Sequence, residues 1–490
     1  MRRRSVLKQF AGWMAAPAVL RAQRRPGDKP NLLFVWTDQQ RPDTMAAYGN
    51  TTYKVPAMNR LAAESVVFER AYVTQPVCTP SRSSVLSGLW PHQNGCVNNN
   101  IRMRPETRTL PELLADSSYR TGYMGKWHLG DEVFAQHGFQ EWRSIEDGYQ
   151  RFFSPARDPS KRSSYHDFLL SQGYKPGQSG TFGREYAVSL PVEHTKPSYL
   201  ATEASRFILE NRAEPWLLHV NFLEPHSPFT SRLNDLHSRE EAPVPQNCEQ
   251  LTEGAPEPEW YGRHRKSSRE SFKSFQLDTR AGWERVNRNY AGLCSLVDQA
   301  VGRILWALEA SGQAENTIVV YTSDHGEMMG SHGMITKSVM YEESARVPLL
   351  MRVPFRGQRP MRVRRPVSHI DLVPSLLDLM GKPRAAEGLA GRSNVSLLNG
   401  RDDDAPVFLE WNAQGPGRQS NARTAVSPEG YKLVLHEGDH GMLFDLNRDP
   451  LEMTNRFGDP ALRSVQTKLA GQIRGWQKTV NDTLTLRESA

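Results

Sequence analysis

Cysteine is scarce in this chain: Cys78, Cys96, Cys248 and Cys294 are the four in 490 residues. That is too few for a disulfide scaffold at this length. Long apolar runs are missing as well. None reaches the ~18 residues of a membrane-spanning helix, so no stable membrane span is expected. Net charge is modest once its location is considered. The formal +7 includes Arg2, Arg3, Arg4, Lys8 and Arg21, and loss of residues 1–22 would leave +2. Charge therefore gives no support to nucleic-acid binding. No internal repeat or low-complexity tract is evident. What is present is a balanced composition, 38% apolar and 23% charged, which permits a sizeable core and excludes wholesale disorder. At roughly 100–200 residues per domain, the length suits one large α/β domain with a smaller companion, or two to three domains.

Residues 1–22 combine a basic start, an apolar stretch from Phe10 to Leu20 and a small-residue end, Leu20-Arg21-Ala22. This is the plan of a secretory signal, too short to cross a bilayer. Arg3-Arg4-Ser5-Val6-Leu7-Lys8 is similar to the twin-arginine motif, whose route exports folded proteins. Export to a periplasm or beyond is the expectation.

Several Val-, Ile- and Leu-rich runs end abruptly in polar clusters. Leu32–Thr37 meets Asp38-Gln39-Gln40, Trp216–Phe222 meets Glu224-Pro225-His226, and Thr317–Thr322 meets Asp324-His325-Gly326. Continuous apolar runs read as strands buried on both faces. Helical patterns alternate with them at Met58–Ser65, Leu110–Asp116, Thr202–Asn211 and Trp283–Ser311. The alternation predicts a large, mainly parallel sheet flanked by helices. Ligands of such sheets sit at the carboxyl ends of the strands, where all three polar clusters fall. Residues 143–200 and 227–280 have little periodicity and read as excursions, either lids or binding loops. After Gly381-Lys382-Pro383 the texture shifts to short strands and a final helix near Pro460–Asn481, a small α+β domain. The division expected is a leader at 1–22, a catalytic domain at 28–385 and a C-terminal subdomain at 386–490.

One segment stands out: Cys78-Thr79-Pro80-Ser81-Arg82-Ser83-Ser84-Val85-Leu86-Ser87-Gly88. Pro80 suits a helix's first turn. Cys78 would then sit at the helix N-terminus, a natural anion site, with Arg82 one turn on along the same face. The run resembles the signature of the formylglycine-dependent (type I) sulfatases of the alkaline-phosphatase-like superfamily: Cys-Ser/Thr-Pro-Ser-Arg, then Leu-Ser/Thr-Gly. A second family motif resembles Tyr119-Arg120-Thr121-Gly122-Tyr123-Met124-Gly125-Lys126-Trp127-His128, with departures at Ser118 and Met124. The resemblance extends from about Pro30 into the C-terminal domain, through Leu443-Phe444-Asp445.

The resemblance implies a sulfuric ester hydrolase in which a maturation enzyme oxidises Cys78 to formylglycine, whose hydrate attacks sulfur. It implies one divalent cation held by Asp38, Gln39, residue 78, Asp324 and His325. Calcium is the family's usual ion; the imidazole of His325 suits calcium poorly and keeps magnesium or manganese open. By the same resemblance Arg82 stabilises the hydrate, Lys126 binds sulfate, and Lys337 is the general acid or a sulfate clamp together with His226. His128 takes a proton as the sulfated hydrate collapses, and His226 serves the leaving group. Lys126 and His128, two apart in an extended segment, would point the same way. His137, His219 and His332 are read as hydrogen-bonded core residues. The expected substrate is a sulfated carbohydrate, with aryl or choline sulfates as other small-molecule possibilities. The competing readings are a phosphonate or phosphate monoester hydrolase of the same superfamily, to which Gln39 points, and an inactive sulfated-glycan-binding protein.

Overall fold

The computed structural model describes residues 29–401, 404–413 and 419–487; the leader read at 1–22 lies outside the described residues. Its centre is an eight-stranded sheet. The strands are β1 (Asn31–Asp38), β2 (Val66–Tyr72), β3 (Arg120–Gly125), β4 (Glu141–Arg143), β5 (Trp216–Pro225), β6 (Thr317–Ser323), β7 (Arg346–Arg352) and β8 (Met361–Ser368). They lie in the order β4-β3-β5-β1-β6-β7-β2-β8. Every pairing is parallel except those of β7, which runs against both β6 and β2.

The runs read as doubly buried strands are so. Every residue of β1, β5 and β6 is buried, and their side chains alternate between two cores with the period of two that a strand imposes. Leu33, Val35, Leu218, Val220, Val319 and Tyr321 face one layer; Leu32, Phe34, Trp36, Leu217, Ile318 and Val320 face the other. The first layer is covered by the helices Lys196–Glu210 and Arg280–Ala310, the second by Cys78–Ser87 and Leu372–Leu379. Arg280–Ala310 is long and apolar enough to cross a membrane, but 78% of its most apolar window is buried inside the protein. Its Asp298 accepts hydrogen bonds from Ala57 N at 3.2 Å and Met58 N at 2.8 Å, closing the start of the helix Pro56–Ala63. It is a core helix.

A second sheet of four antiparallel strands, Val407–Trp411, Ala422–Val426, Tyr431–His436 and Met442–Asp445, follows. Leu433, Leu435 and Leu443 pack under the helix Arg463–Val480 through Leu469 and Ile473. Val434, Met442 and Phe444, on the other face, pack onto Met328, Val339 and Tyr341 of the large domain. The two stretches expected to be irregular contain helices of their own: Ser164–Ser171, Arg184–Ala187 and the thirteen-residue Glu259–Ser271. Glu259–Ser271 buries only Trp260, Tyr261 and Ser268, so its apolar stripe is too thin to show as a helical period.

Candidate active site

The carboxyl edge of the sheet gathers the polar clusters. β1 ends in Asp38, β3 delivers Lys126 and His128, β5 ends just before His226, and β6 just before Asp324 and His325. Sharp chain reversals aim these groups. Gly125, with φ +117°, lets the chain approach β5: a Cβ there would stand 1.8 Å from the carbonyl oxygen of Asn221. Gln39 and His128 adopt left-handed backbone at φ 71° and 61°, a conformation that costs non-glycine residues energy and gathers at functional sites. Thr336 and Ser338, on either side of Lys337, do the same at φ 74° and 81°.

Cys78 opens the helix Cys78–Ser87 after an extended Val77. The free N–H of Thr79 donates to Asn99 Oδ1 at 3.0 Å, and Gly88, at φ 71°, ends the helix. The hydroxyl-rich sequence is tolerated because Ser83 and Ser87 return their hydroxyls to backbone oxygens of Pro80 and Ser83, at 2.7 and 2.6 Å. Arg82 lies one turn on and is fully buried. Its guanidinium reaches Asp38 Oδ2 at 2.9 Å, Asp324 Oδ2 at 2.8 Å and the carbonyl of Lys126 at 2.9 Å. Lys126 Nζ meets the same Asp38 oxygen at 2.5 Å. The thiol of Cys78 stands 3.2 Å from His325 Nε2 and 3.9 Å from Asp38 Oδ1. Asp38, Cys78, Asp324 and His325 are all buried and bring four ligand atoms within 4.8 Å of one another.

Gln39 takes a different posture from the ligand role expected of it. Its backbone N–H donates to Asp324 Oδ1 at 3.1 Å. Its side-chain amide spans outward, Oε1 accepting from Lys337 Nζ and Nε2 donating to Glu327. Glu327 was not foreseen; its carboxylate also accepts from Met329 N, and burial pushes its pKa up. Gln39 and Glu327 thus position Lys337 at the site.

The charges act on one another strongly. Burial would raise the Asp38 carboxyl, but Lys126, His226, Arg82 and His325 hold it well below the carboxylate range. Burial and Asp38 push the Cys78 thiol up, yet Lys126, Lys337 and His325 bring it down to about 7. Burial lowers His325, and Asp324 and Cys78 outweigh it, so its pKa rises. Burial, Lys126 and Arg82 keep His128 neutral, and burial with Lys337 does the same for His226. Asn100 Oδ1 takes the Nε2 proton of His128 at 2.9 Å. The ring's Nδ1 is buried without a hydrogen bond among the described residues, a lone pair held in reserve. His226 is arranged the other way round: Nδ1 donates to the carbonyl of Ser227 at 2.8 Å.

Asn99 and Asn100 could be found in sequence only as an unexplained triple with Asn98; their roles depend on distant Thr79 and His128. The histidines assigned to the core are buried or nearly so, but not all are hydrogen-bonded. His219 has neither ring nitrogen paired among the described residues and instead stacks on Phe34 at 4.6 Å. His332 stacks on Tyr341 at 3.9 Å. At Gly326 the chain makes a close approach: a Cβ there would lie 2.0 Å from the carbonyl oxygen of Glu343.

The whole chain is similar to known proteins. A family profile described as Sulfatase matches residues 30–382, and one described as N-sulphoglucosamine sulphohydrolase, C-terminal, matches 330–479. The chain is 30% identical over 477 residues to an uncharacterised sulfatase, YidJ, of Escherichia coli K12, covering 93% of this chain and 88% of that one. It is 25% identical over 508 residues to an N-acetylglucosamine-6-O-sulfatase of Bacteroides thetaiotaomicron, covering 94% and 88%. A solved phosphonate monoester hydrolase from Silicibacter pomeroyi shares the fold at a TM-score of 0.76 and 22% identity, covering 93% of this chain and 96% of that one. By profile, by full-length relatives and by fold, the chain belongs to the sulfatase family, sulfuric ester hydrolases of the alkaline-phosphatase-like superfamily.

Proposed function

We propose that the chain releases sulfate from sulfated carbohydrates outside the cytoplasm, using a formylglycine made from Cys78. The observation that carries this reading is the placement of the Cys78 side chain, at a helix N-terminus, against Asp38 and His325 and within the field of Lys126 and Lys337. The carbohydrate class is supported by the N-acetylglucosamine-6-O-sulfatase among the relatives, and location outside the cytoplasm by the leader.

A divalent cation fits the residues present. Asp38 and Asp324 supply two buried carboxylates and His325 an imidazole. The one soft donor, the Cys78 sulfur, is the atom that oxidation replaces with oxygen, which leaves a set suited to calcium, magnesium or manganese. Bound there, the cation would stabilise negative charge on the attacking oxygen and on sulfate.

The protein's own groups then divide the work. Arg82, paired with Asp38 and Asp324, fixes both carboxylates. Lys126 and Lys337 receive the sulfate oxygens. One hydroxyl of the aldehyde hydrate, having given up its proton to water, attacks sulfur as the S–O bond to the substrate alcohol breaks, and the departing alkoxide takes a proton from the His226–Lys337 side. A sulfate monoester lying between these two offsets the field of Lys337 and favours the imidazolium that His226 lacks when the site is empty. His128 Nδ1 takes the proton of the second hydroxyl as the carbonyl reforms and sulfate leaves. Water then restores the hydrate.

Protein made in a host with maturation activity, digested with trypsin, gives the peptide 71–82. The expected result is a species lighter than the cysteine form and trapped by a hydrazide, together with sulfate release that a chelator abolishes. An intact, alkylatable thiol beside a working maturation control overturns the mechanism. Gln39, which carries one negative charge fewer than a carboxylate there, favours a phosphonate or phosphate ester as the second reading. Relative rates on aryl sulfate, phosphate and phosphonate decide between them.

A further inference from the structure

The wall facing His128 is built from a stretch the proposed chemistry does not use. The Tyr149 ring lies 4.8 Å from the His128 ring, inclined by 47°. Its hydroxyl accepts from Arg184 Nη2 at 3.0 Å. Arg184 is anchored by Glu146, Nε to Oε2 at 2.6 Å, and Glu146 is shared with the buried Lys196. Burial would raise the Glu146 carboxyl, but Arg184 and Lys196 hold it down at about 2; the neighbouring Glu224 is pushed up to about 7 by burial and Glu146 against the pull of the same two cations, so Glu146 is the one firmly charged carboxylate facing both and positive charge is left over.

That charge has an outlet. Glu146 and Lys196 are almost entirely enclosed, whereas the Arg184 side chain is 28% exposed. Its Nε and Nη2 are engaged; Nη1 has no hydrogen bond among the described residues. The Arg184 charge also acts on His128 and His226, which places it within electrostatic range of the reacting centre. A guanidinium with one edge pinned and one edge open, beside an aromatic ring, is suited to planar or tetrahedral oxyanions.

We propose that Tyr149 and Arg184 form a subsite for a second anionic group on the substrate, next to the scissile sulfate: a carboxylate or another sulfate ester. The inference rests on the sulfatase reading above. An uncharged sugar leaves Nη1 solvated, whereas an anion at that edge gains a charge-assisted hydrogen bond and neutralises the cluster.

The test uses matured enzyme with an aldehyde verified at position 78. It compares kcat/KM for 4-nitrophenyl sulfate, a monosulfated hexose, the same hexose with a second sulfate, and a monosulfated hexuronic acid. The expected result is a preference of roughly 10–100-fold for one of the anionic sugars over the monosulfated hexose. That preference is lost in Arg184→Met mainly through KM, partly kept in Arg184→Lys, and reduced in Tyr149→Phe. The favoured sugar tells carboxylate from sulfate. Glu146 keeps Lys196 in Arg184→Met, and Arg184→Lys preserves the charge should the first variant fold poorly. Equal losses on all substrates, or no preference in the wild type for either anionic sugar, overturn the subsite alone. Aldehyde-bearing enzyme that releases sulfate from none of the four overturns the sulfatase reading, and the subsite with it.

Discussion

Two buried charge clusters in this molecule carry opposite surpluses. At the candidate active site, Asp38 and Asp324 face Arg82 and Lys126, with His325 and Lys337 adjoining. At the seam with the C-terminal sheet, Lys432 meets Glu342 at 3.0 Å and Glu452 at 2.9 Å, Arg346 lies 3.6 Å from Glu342, and Glu343 adds a third carboxylate nearby. Asp38, Asp324, Arg82 and Lys126 are buried, as are Lys432, Glu342 and Glu452, so burial of the paired groups does not distinguish the two centres. The sign of the surplus does. Burial, Glu342 and Glu343 push Glu452 up to about 8 against the pull of Lys432, so the seam answers its excess acid by keeping a proton. The cation-rich pocket instead strips protons from its neighbours: His128 and His226 are held neutral, and Cys78 is moved towards thiolate. One cluster is closed upon itself; the other is complete only with an anion.

The comparison breaks most readily at its two centres. Cys78→Ala is expected to lower kcat/KM for sulfate esters about 10⁴-fold, because the nucleophile itself is lost, with little change in thermal unfolding. Lys432→Met is the reverse. It leaves the buried Glu342–Glu452 pair without the cation they share and costs about 3–5 kcal/mol of stability, while turnover per folded molecule stays within roughly threefold. Calorimetry and active-site-normalised kinetics on both variants check this. If Cys78→Ala destabilised as much as Lys432→Met, or Lys432→Met abolished turnover of folded enzyme, the two clusters would not be functionally distinct.

A pH series sharpens the contrast at Glu452. Below the ordinary glutamate value of 4.5 both folded and unfolded chains hold this proton. From there to about 8 the folded chain keeps a proton that the unfolded chain has lost, so the contribution to stability is full at low pH and falls as pH rises through that window. Glu452→Gln removes the titration and leaves Lys432 its contact with Glu342. Its Tm relative to the wild type is expected to improve by about 4 °C between pH 5 and pH 8.5, on the order of 4 kcal/mol. A constant gap would mean that the seam keeps all its carboxylates charged.

The two clusters were not equally legible in sequence. Asp38, Asp324 and His325 directly follow doubly buried apolar runs, and Cys78 and Arg82 share one helical turn; local pattern suffices to place each at the sheet edge. The parallel sheet follows from the same runs, although β7's reversal leaves no mark in hydropathy, because a strand buried on both faces looks the same in either direction. The seam was invisible. Lys432, Glu342 and Glu452 come from three distant segments, and each alone resembles a solvated surface charge. Tyr149, Arg184 and Glu146 were hidden for the same reason, inside a stretch whose short helices carry no clear period. Gln39 shows a further limit: its place beside Asp324 is set by chain position, but where its amide turns depends on Lys337 and Glu327, nearly 300 residues later.

The smallest effect separates a group that reacts from one that aims it. Asn100 does not touch the Cys78 cluster; it takes the Nε2 proton of His128 and so commits Nδ1 to the lone pair. Asn100→Ala frees the ring to hold the other tautomer, in which Nδ1 carries the proton and cannot accept one. A loss of roughly tenfold in kcat with KM nearly unchanged is expected, on the order of 1.4 kcal/mol, because sulfate binding uses the lysines and only the proton acceptor is misset. Asn100→Asp provides the discriminating arm. A carboxylate still fixes the tautomer and raises the basicity of the imidazole, so kcat should recover and its acidic pH limb should move upward. Equal loss in both variants would mean that Asn100 supports the loop Asn98–Asn100 rather than the histidine.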